Sequence, residues 1–240
     1  INAGNDPDAI KIHDGFISGN DVYHISWAYT LCEAIEKSSN QSTIKNFSIL
    51  EIGGGFGSLS RILSSIYGKD MVYSLVELPL SAALAAYYLS MHGKTVSLNG
   101  DLISSSINGG EVVNIFTPGY EDWMSHEYDI IINTRSMMEM DKVQIDYYFN
   151  AIQNKGCIKK DGYFLNVNRY HKNSVGEDIQ IAKFPYDEKW KVIVSKQSFR
   201  QDHIHFLLAK RTDILSDIHT ELSKINKIGE KYKQTVSLIT

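Results

Sequence analysis

The chain has 240 residues, 43% hydrophobic and 22% charged, an ordinary globular composition that excludes fibrous and disordered architectures. Its formal net charge of −4 gives no electrostatic footprint for nucleic acid or an anionic membrane, so neither is expected as a partner. Two distant cysteines, Cys32 and Cys157, cannot form a disulfide framework, and no apolar run of about 18 residues could span a bilayer; a reducing, cytoplasmic setting is expected.

The first 20 residues are polar and rich in Gly and Asp. The chain begins at Ile1 without Met or a visible signal peptide, as a fragment of a longer polypeptide would. Asn20 or Asp21 then caps a predicted helix over 21–36, with Val22, Ile25, Trp27, Tyr29, Leu31 and Ile35 as its apolar positions. A short apolar strand, 48–52, runs into Gly53-Gly54-Gly55-Phe56-Gly57, and a helix follows at once with Leu59, Ile62, Leu63 and Ile66 on one face. Residues 71–77 read as a second strand and 80–92 as a second helix. A third strand is expected over 95–98, ending at Asn99-Gly100-Asp101, and another apolar run spans 112–116. The unbroken apolar stretch in 128–133 is a strand buried on both faces. A helix over 142–153, a strand over 162–167 and a hairpin from 192–195 and 203–209 complete the alternation. The tail has a helical stripe of Ile214, Ile218, Leu222, Ile225 and Ile228, expected to dock on its own domain. Together these elements predict a doubly wound α/β fold with a mostly parallel seven-stranded sheet and an antiparallel last strand. Residues 1–46 would form a helical lid, 47–212 the ligand-binding domain and 213–240 a C-terminal helix.

Glycines after a buried strand let the backbone approach a ligand without a Cβ in the way, and the next helix presents free N–H groups. A dinucleotide fingerprint needs a third glycine where this chain has Ser58, and the acid at Glu51 suits an ammonium group better than a pyrophosphate. Gly53, Gly54, Gly55 and Glu51 are therefore expected to hold the amino-acid end of S-adenosylmethionine. Glu77, at the end of the second strand, can accept both hydroxyls of a ribose, in adenosylmethionine or NAD alike.

Residues 50–57 resemble motif I of the class I methyltransferases, and Val76-Glu77-Leu78-Pro79 their second-strand acid. More narrowly, Glu77-Leu78-Pro79, Tyr87-Tyr88-Leu89-Ser90, the stretch from Ile132 to Met140 and that from Phe164 to Tyr170 resemble the sugar O-methyltransferases, over roughly residues 48–170. That family often has Asp where this chain has Glu77, a change that keeps the carboxylate. The resemblance implies strand order 3-2-1-4-5-7-6, S-adenosyl-L-methionine over strands one and two, with Leu78 and Asn133 beside it, and the acceptor above strands four and five. Asn99-Gly100-Asp101 looks like the turn that reads the adenine amino group in many class I enzymes, and Ile115-Phe116-Thr117-Pro118 resembles the family's strand before an acceptor-side loop; both cannot hold one place, and with Asp101 preferred for adenine, Phe116 and Thr117 would lie near the cofactor or acceptor.

Methyl transfer to a hydroxyl needs a base that removes its proton, which a carboxylate or an imidazole can do. Glu139 is the first candidate and His171 the second. A cap of the next helix, or pairing with an arginine, is the competing role for Glu139. Tyr120 and Trp123 can stack on a small acceptor, with Ser136 beside them; packing of their loop is an equal reading. His126 and Asp122 lack metal-ligand spacing, and no metal is expected. The expected function is O-methylation of a sugar or other small hydroxylated acceptor; a non-catalytic cofactor-binding module of a larger chain and an NAD-dependent reductase are the alternatives.

Overall fold

The continuous apolar stretches of the sequence form the middle of a nine-stranded sheet in a computed structural model that describes residues 10–12, 15–39, 47–104, 111–174 and 176–236. The chain opens with a small hairpin, β1 (Ile10–Ile12) and β2 (Gly15–Ile17), followed by α1 (Gly19–Ser39). Then come β3 (Phe47–Ile52), α2 (Ser58–Tyr67), β4 (Met71–Val76), α3 (Pro79–Met91), β5 (Thr95–Leu98), β6 (Asp101–Ser104) and β7 (Val112–Phe116). The second half holds β8 (Tyr128–Thr134), α4 (Lys142–Gln153), β9 (Ile158–Arg169), the ribbon β10 (Lys172–Ser174) and β11 (Glu177–Ile179), β12 (Trp190–Ser198), β13 (Gln201–Arg211) and α5 (Ile218–Val236).

The large sheet runs β12-β13-β9-β8-β3-β4-β7-β5-β6, with β13 and β6 antiparallel to the rest. Alternate residues of its central strands feed two cores, as expected of a doubly wound sheet. Ile49, Tyr73 and Leu75 pack with α1, α2 and α3 on one face; Leu50, Ile52 and Ile131 pack with α4 and α5 on the other. Trp27 of α1 is buried and donates its indole N–H to Ser198 Oγ at 2.9 Å, holding that helix to the first face. The C-terminal helix docks on its own domain through Ile218, Leu222 and Ile225, whereas Ile214 precedes it and is 73% exposed.

Two features depart from the expected sheet. It has nine strands rather than seven, and the place beside β4 belongs to β7, with Val76 paired to Phe116, while β5 lies outside β7. Hydrophobicity explains the exchange: β7 buries Val113, Ile115 and Phe116, whereas β5 has only Val96 fully buried and suits an outer position. The turn at Asn99 and Gly100, with φ of 51° and 91°, is a tight hairpin that sends the chain back as β6, with Leu98 opposite Asp101. Asp101 is therefore an exposed first residue of an edge strand, not the end of a central one.

Beneath the C-terminal ends of the central strands lie buried polar groups. Asn133, Asn166 and Asn168 are all inaccessible to solvent. Asn133 donates to the Ile52 carbonyl at 2.8 Å and to Ser136 Oγ, while its own oxygen accepts from Asn168 Nδ2 at 2.7 Å and from the Met137 amide at 3.3 Å. Asn168 also accepts from the Met138 amide, and Asn166 donates to the Tyr186 hydroxyl. Glu51 is buried as well and accepts a 2.7 Å hydrogen bond from Tyr73. Burial pushes its carboxyl up to about 7, against the stabilising hydroxyl, and the nearby Glu77 charge acts in the same direction.

Asn133→Ala should lower stability by about 2–4 kcal/mol, because it strands several buried partners at once. Urea denaturation checks this, and a loss below about 1 kcal/mol would show that water replaces the side chain. Glu51 carries a sign of its own. With its folded-state value above the ordinary 4.5, the native chain holds the proton more tightly than the unfolded one. Its contribution thus falls as pH rises from about 4.5 to about 7, and is level above that. Glu51→Gln should remove this decline, gaining on the order of 3 kcal/mol over wild type between pH 4.5 and pH 8. Parallel pH profiles for the two proteins would contradict it.

Candidate active site

The site begins where β3 ends. The chain leaves Ile52 into Gly53, Gly54 and Gly55 before Gly57 starts α2. A Cβ on Gly53 would lie 2.1 Å from Ser136 Oγ, and one on Gly54 would lie 2.5 Å from Glu51 Oε2, so the turn is clamped between two polar side chains. Gly55 differs. Its φ of +59° favours glycine, and a Cβ there would meet nothing within 4 Å. It faces open space, in the wall of a cavity of about 720 Å³.

Glu77 closes the second side. It follows β4 directly, and its carboxylate accepts the Gly55 amide at 2.7 Å through one oxygen and the Leu78 amide at 2.7 Å through the other. Gly53, Gly55, Glu77 and Leu78 all line the cavity. The far wall comes from the end of β8, with Thr134, Arg135, Ser136 and Glu139, and from an aromatic group on the loop after β7 and on α4. In that group Trp123 and Tyr148 have ring centroids 5.9 Å apart, and the edge-on Tyr147 gives its hydroxyl to Glu121 at 2.7 Å. Lys172 pairs with Glu139 at 3.2 Å. Arg135 adopts a left-handed φ of 64° and is the one cationic residue among the described residues of the wall.

Several expected site residues lie elsewhere. Glu51 does not line the cavity; it supports the glycine turn from behind, as does Gly54. Asn133 is also outside the wall, because its amide is fully engaged in holding Ile52, Ser136 and Asn168. Asp101 stands on the outer hairpin, and the strand end beside Glu77 is that of β7, where the Glu77 amide bonds the Phe116 carbonyl at 2.9 Å. Thr117 is tied to the Asn99 side chain. His171 is buried, 3.1 Å from Asp178, with Gly229 of α5 packed against its ring, and it is not among the cavity residues. Tyr120 is half exposed outside the cavity, whereas Trp123 lines it and is buried. The helix α1 packs beside α2, with Asp21 accepting from Ser58 Oγ and Arg61, and none of its residues reaches the cavity wall.

Sequence reasoning missed Glu121, Arg135, Tyr147 and Tyr148 as wall residues. Tyr147 and Tyr148 stand in a predicted helix with nothing to mark which face meets a cavity. The exception is Arg135: it directly follows the strand whose end is expected to face the acceptor, so its position carried a signal.

No family model and no curated protein matches the chain. Solved structures do. A SAM-dependent methyltransferase from Aquifex aeolicus matches with TM-score 0.52 and 12% identity, over 81% of this chain and 94% of that one. The mitomycin 7-O-methyltransferase MmcR matches with TM-score 0.52 and 14% identity, over 77% of this chain and 54% of that one. The CurJ carbon methyltransferase gives TM-score 0.54 and 11% identity, over 80% of this chain and 54% of its own length. This chain thus spans about half of the latter two. At such identities the likeness speaks for architecture: the chain has the Rossmann-like fold of S-adenosylmethionine-dependent methyltransferases.

Proposed function

We propose that the chain binds S-adenosyl-L-methionine and transfers its methyl group to a hydroxyl of a small acceptor, a sugar among the candidates. The observation that carries this reading is the pairing of Glu77 with the Gly55 amide at the mouth of a cavity that continues to Glu139. The fit rests on three features of the chain. Gly55 leaves room for a ligand backbone. Glu77 uses one lone pair of each oxygen and keeps others for ribose hydroxyls. Leu78, 64% exposed at the wall, offers an apolar surface to a nucleoside. A dinucleotide suits the site less well. Ser58 opens α2 where the third glycine would stand.

When bound, S-adenosylmethionine supplies an electrophilic methyl on a sulfonium; the residues of the chain bind, orient and accept a proton. Two carboxylates stand at the acceptor end of the cavity: Glu121, which accepts the Tyr147 hydroxyl, and Glu139, 52% exposed at the side chain and paired with Lys172, to which we assign the hydroxyl proton. Trp123, Tyr147 and Tyr148 offer ring faces and edges of the kind that pack on the C–H face of a sugar. His171, held under α5, takes a structural role in this reading.

Calorimetry with S-adenosylmethionine, S-adenosylhomocysteine and NAD should show low-micromolar binding of the first two only. Preferential binding of NAD would overturn the assignment. Glu77→Ala should weaken S-adenosylmethionine binding by about 1.5–3 kcal/mol, the scale of hydrogen bonds to a charged group. An unchanged dissociation constant would leave Glu77 as a brace for the glycine turn alone. With an acceptor found by screening hydroxylated small molecules, Glu139→Gln should lower turnover by about 10²–10⁴ while cofactor affinity and melting temperature stay put. His171→Ala should instead lower melting temperature, with activity falling only in proportion. The reverse pattern would transfer the base role to His171.

A further inference from the structure

The helix α3 packs inward through Ala82, Ala85, Ala86 and Leu89, which are buried against the sheet. Its outward face is apolar too. Leu80, Leu84, Tyr87 and Met91 are 77%, 55%, 68% and 70% exposed. Their spacing of four, three and four residues is that of a seam between two helices lying along each other. None of the 13 residues of α3 is charged. A helix on a protein surface ordinarily turns a charged face to water, and one that is apolar all round is covered on both sides. Leu78, just before the helix, is 64% exposed as well.

We propose that this face is the interface of a homodimer, in which α3 of one copy packs against α3 of a second copy about a two-fold axis. The second copy is favoured over other occupants on chemical grounds. In a two-fold contact the same patch meets itself, so any charge on the axis would face its own kind. An uncharged stripe carries no such repulsion, and it offers no counter-charge to a charged partner. The area also suffices. Fully covered, Leu80, Leu84, Tyr87 and Met91 alone would remove on the order of 600 Å² per copy, which for the two copies together reaches the lower end of specific interfaces, about 1,200 Å². A membrane is a poorer occupant. Helices that lie on bilayers carry Lys and Arg along their polar side, and α3 has none. Among the described residues no helix is long and apolar enough to cross a membrane.

The interface would meet the candidate active site at one place. Leu78 belongs both to the patch and to the cavity wall, and its amide holds the Glu77 carboxylate. Pairing of two α3 helices would fix the start of that helix and, through it, the acid.

Sedimentation velocity of the 240-residue chain from 1 to 100 μM tests the proposal. The expected result is a species of twice the 27.1 kDa chain mass, converted to monomer by Leu84→Lys with Tyr87→Lys at unchanged circular dichroism. Tyr29→Lys, a change at an exposed aromatic residue of α1, should leave the dimer intact. Should the double variant fail to fold, Leu84→Cys in a Cys32→Ser background should form a disulfide-linked dimer on mild oxidation. A chain that stays monomeric at 100 μM overturns the proposal. So does a dimer that survives the double variant in folded form, or an unlinked Leu84→Cys chain. Flotation of a monomeric chain with phosphatidylcholine–phosphatidylglycerol vesicles would overturn it in favour of a bilayer.

Discussion

The carbonyl of Ile52 is the fixed point of the site. It is the last carbonyl of β3, and a parallel strand end has no following residue to satisfy it. Two side chains from the end of the neighbouring β8 do so instead, Asn133 and Ser136, each at 2.8 Å. This ties the glycine turn on one strand to the Arg135–Glu139 segment on the next. The absence of a side chain on Gly53 is what allows Ser136 to come so close. Asn168 extends the tie to β9, so three strand ends are locked before any ligand arrives. A site assembled in this way needs little ordering on binding, and ordering is a main cost of recognition.

Much of this was open to sequence reasoning, and the reasons differ from place to place. The β3–glycine–α2 unit was legible because its signals coincide: an apolar run, glycines at once after it, then a helical period. Glu77 was legible from its distance beyond that turn. The central strand β8 announced itself through Ile130, Ile131 and Ile132, buried to 3% or less. The position of β7 was not legible, since which of two short strands neighbours β4 depends on packing across the whole sheet. Yet Asn99-Gly100 is itself a strong hairpin dipeptide, a signal that puts Asp101 on a returning outer strand rather than at a central strand end.

Asn133 and His171 show the limit from another side. A polar residue after a buried strand can face a ligand or satisfy the strand ends, and sequence gives both roles the same letter. Burial separates them: Asn133 is completely enclosed, and His171 lies under α5, a helix more than 45 residues later in the chain. The distribution of charge follows the same division. Acids at the cavity, Glu77, Glu121 and Glu139, each have a partner, in an amide, a tyrosine hydroxyl and a lysine. The enclosed Glu51 has the Tyr73 hydroxyl as its partner, and burial raises its carboxyl well above the usual carboxylate range.

The left-handed backbone of Arg135 has a consequence for how this protein could be improved. A non-glycine residue in that conformation costs on the order of 1 kcal/mol, and Gly or Asn would sit there with less strain. Selection for heat resistance alone would therefore favour replacing it, and would remove the positive charge from the cavity wall in the same step. Backbone strain and the charge of the cavity wall are thus tied to one residue, so a screen for thermostable variants that must keep that charge should hold position 135 fixed.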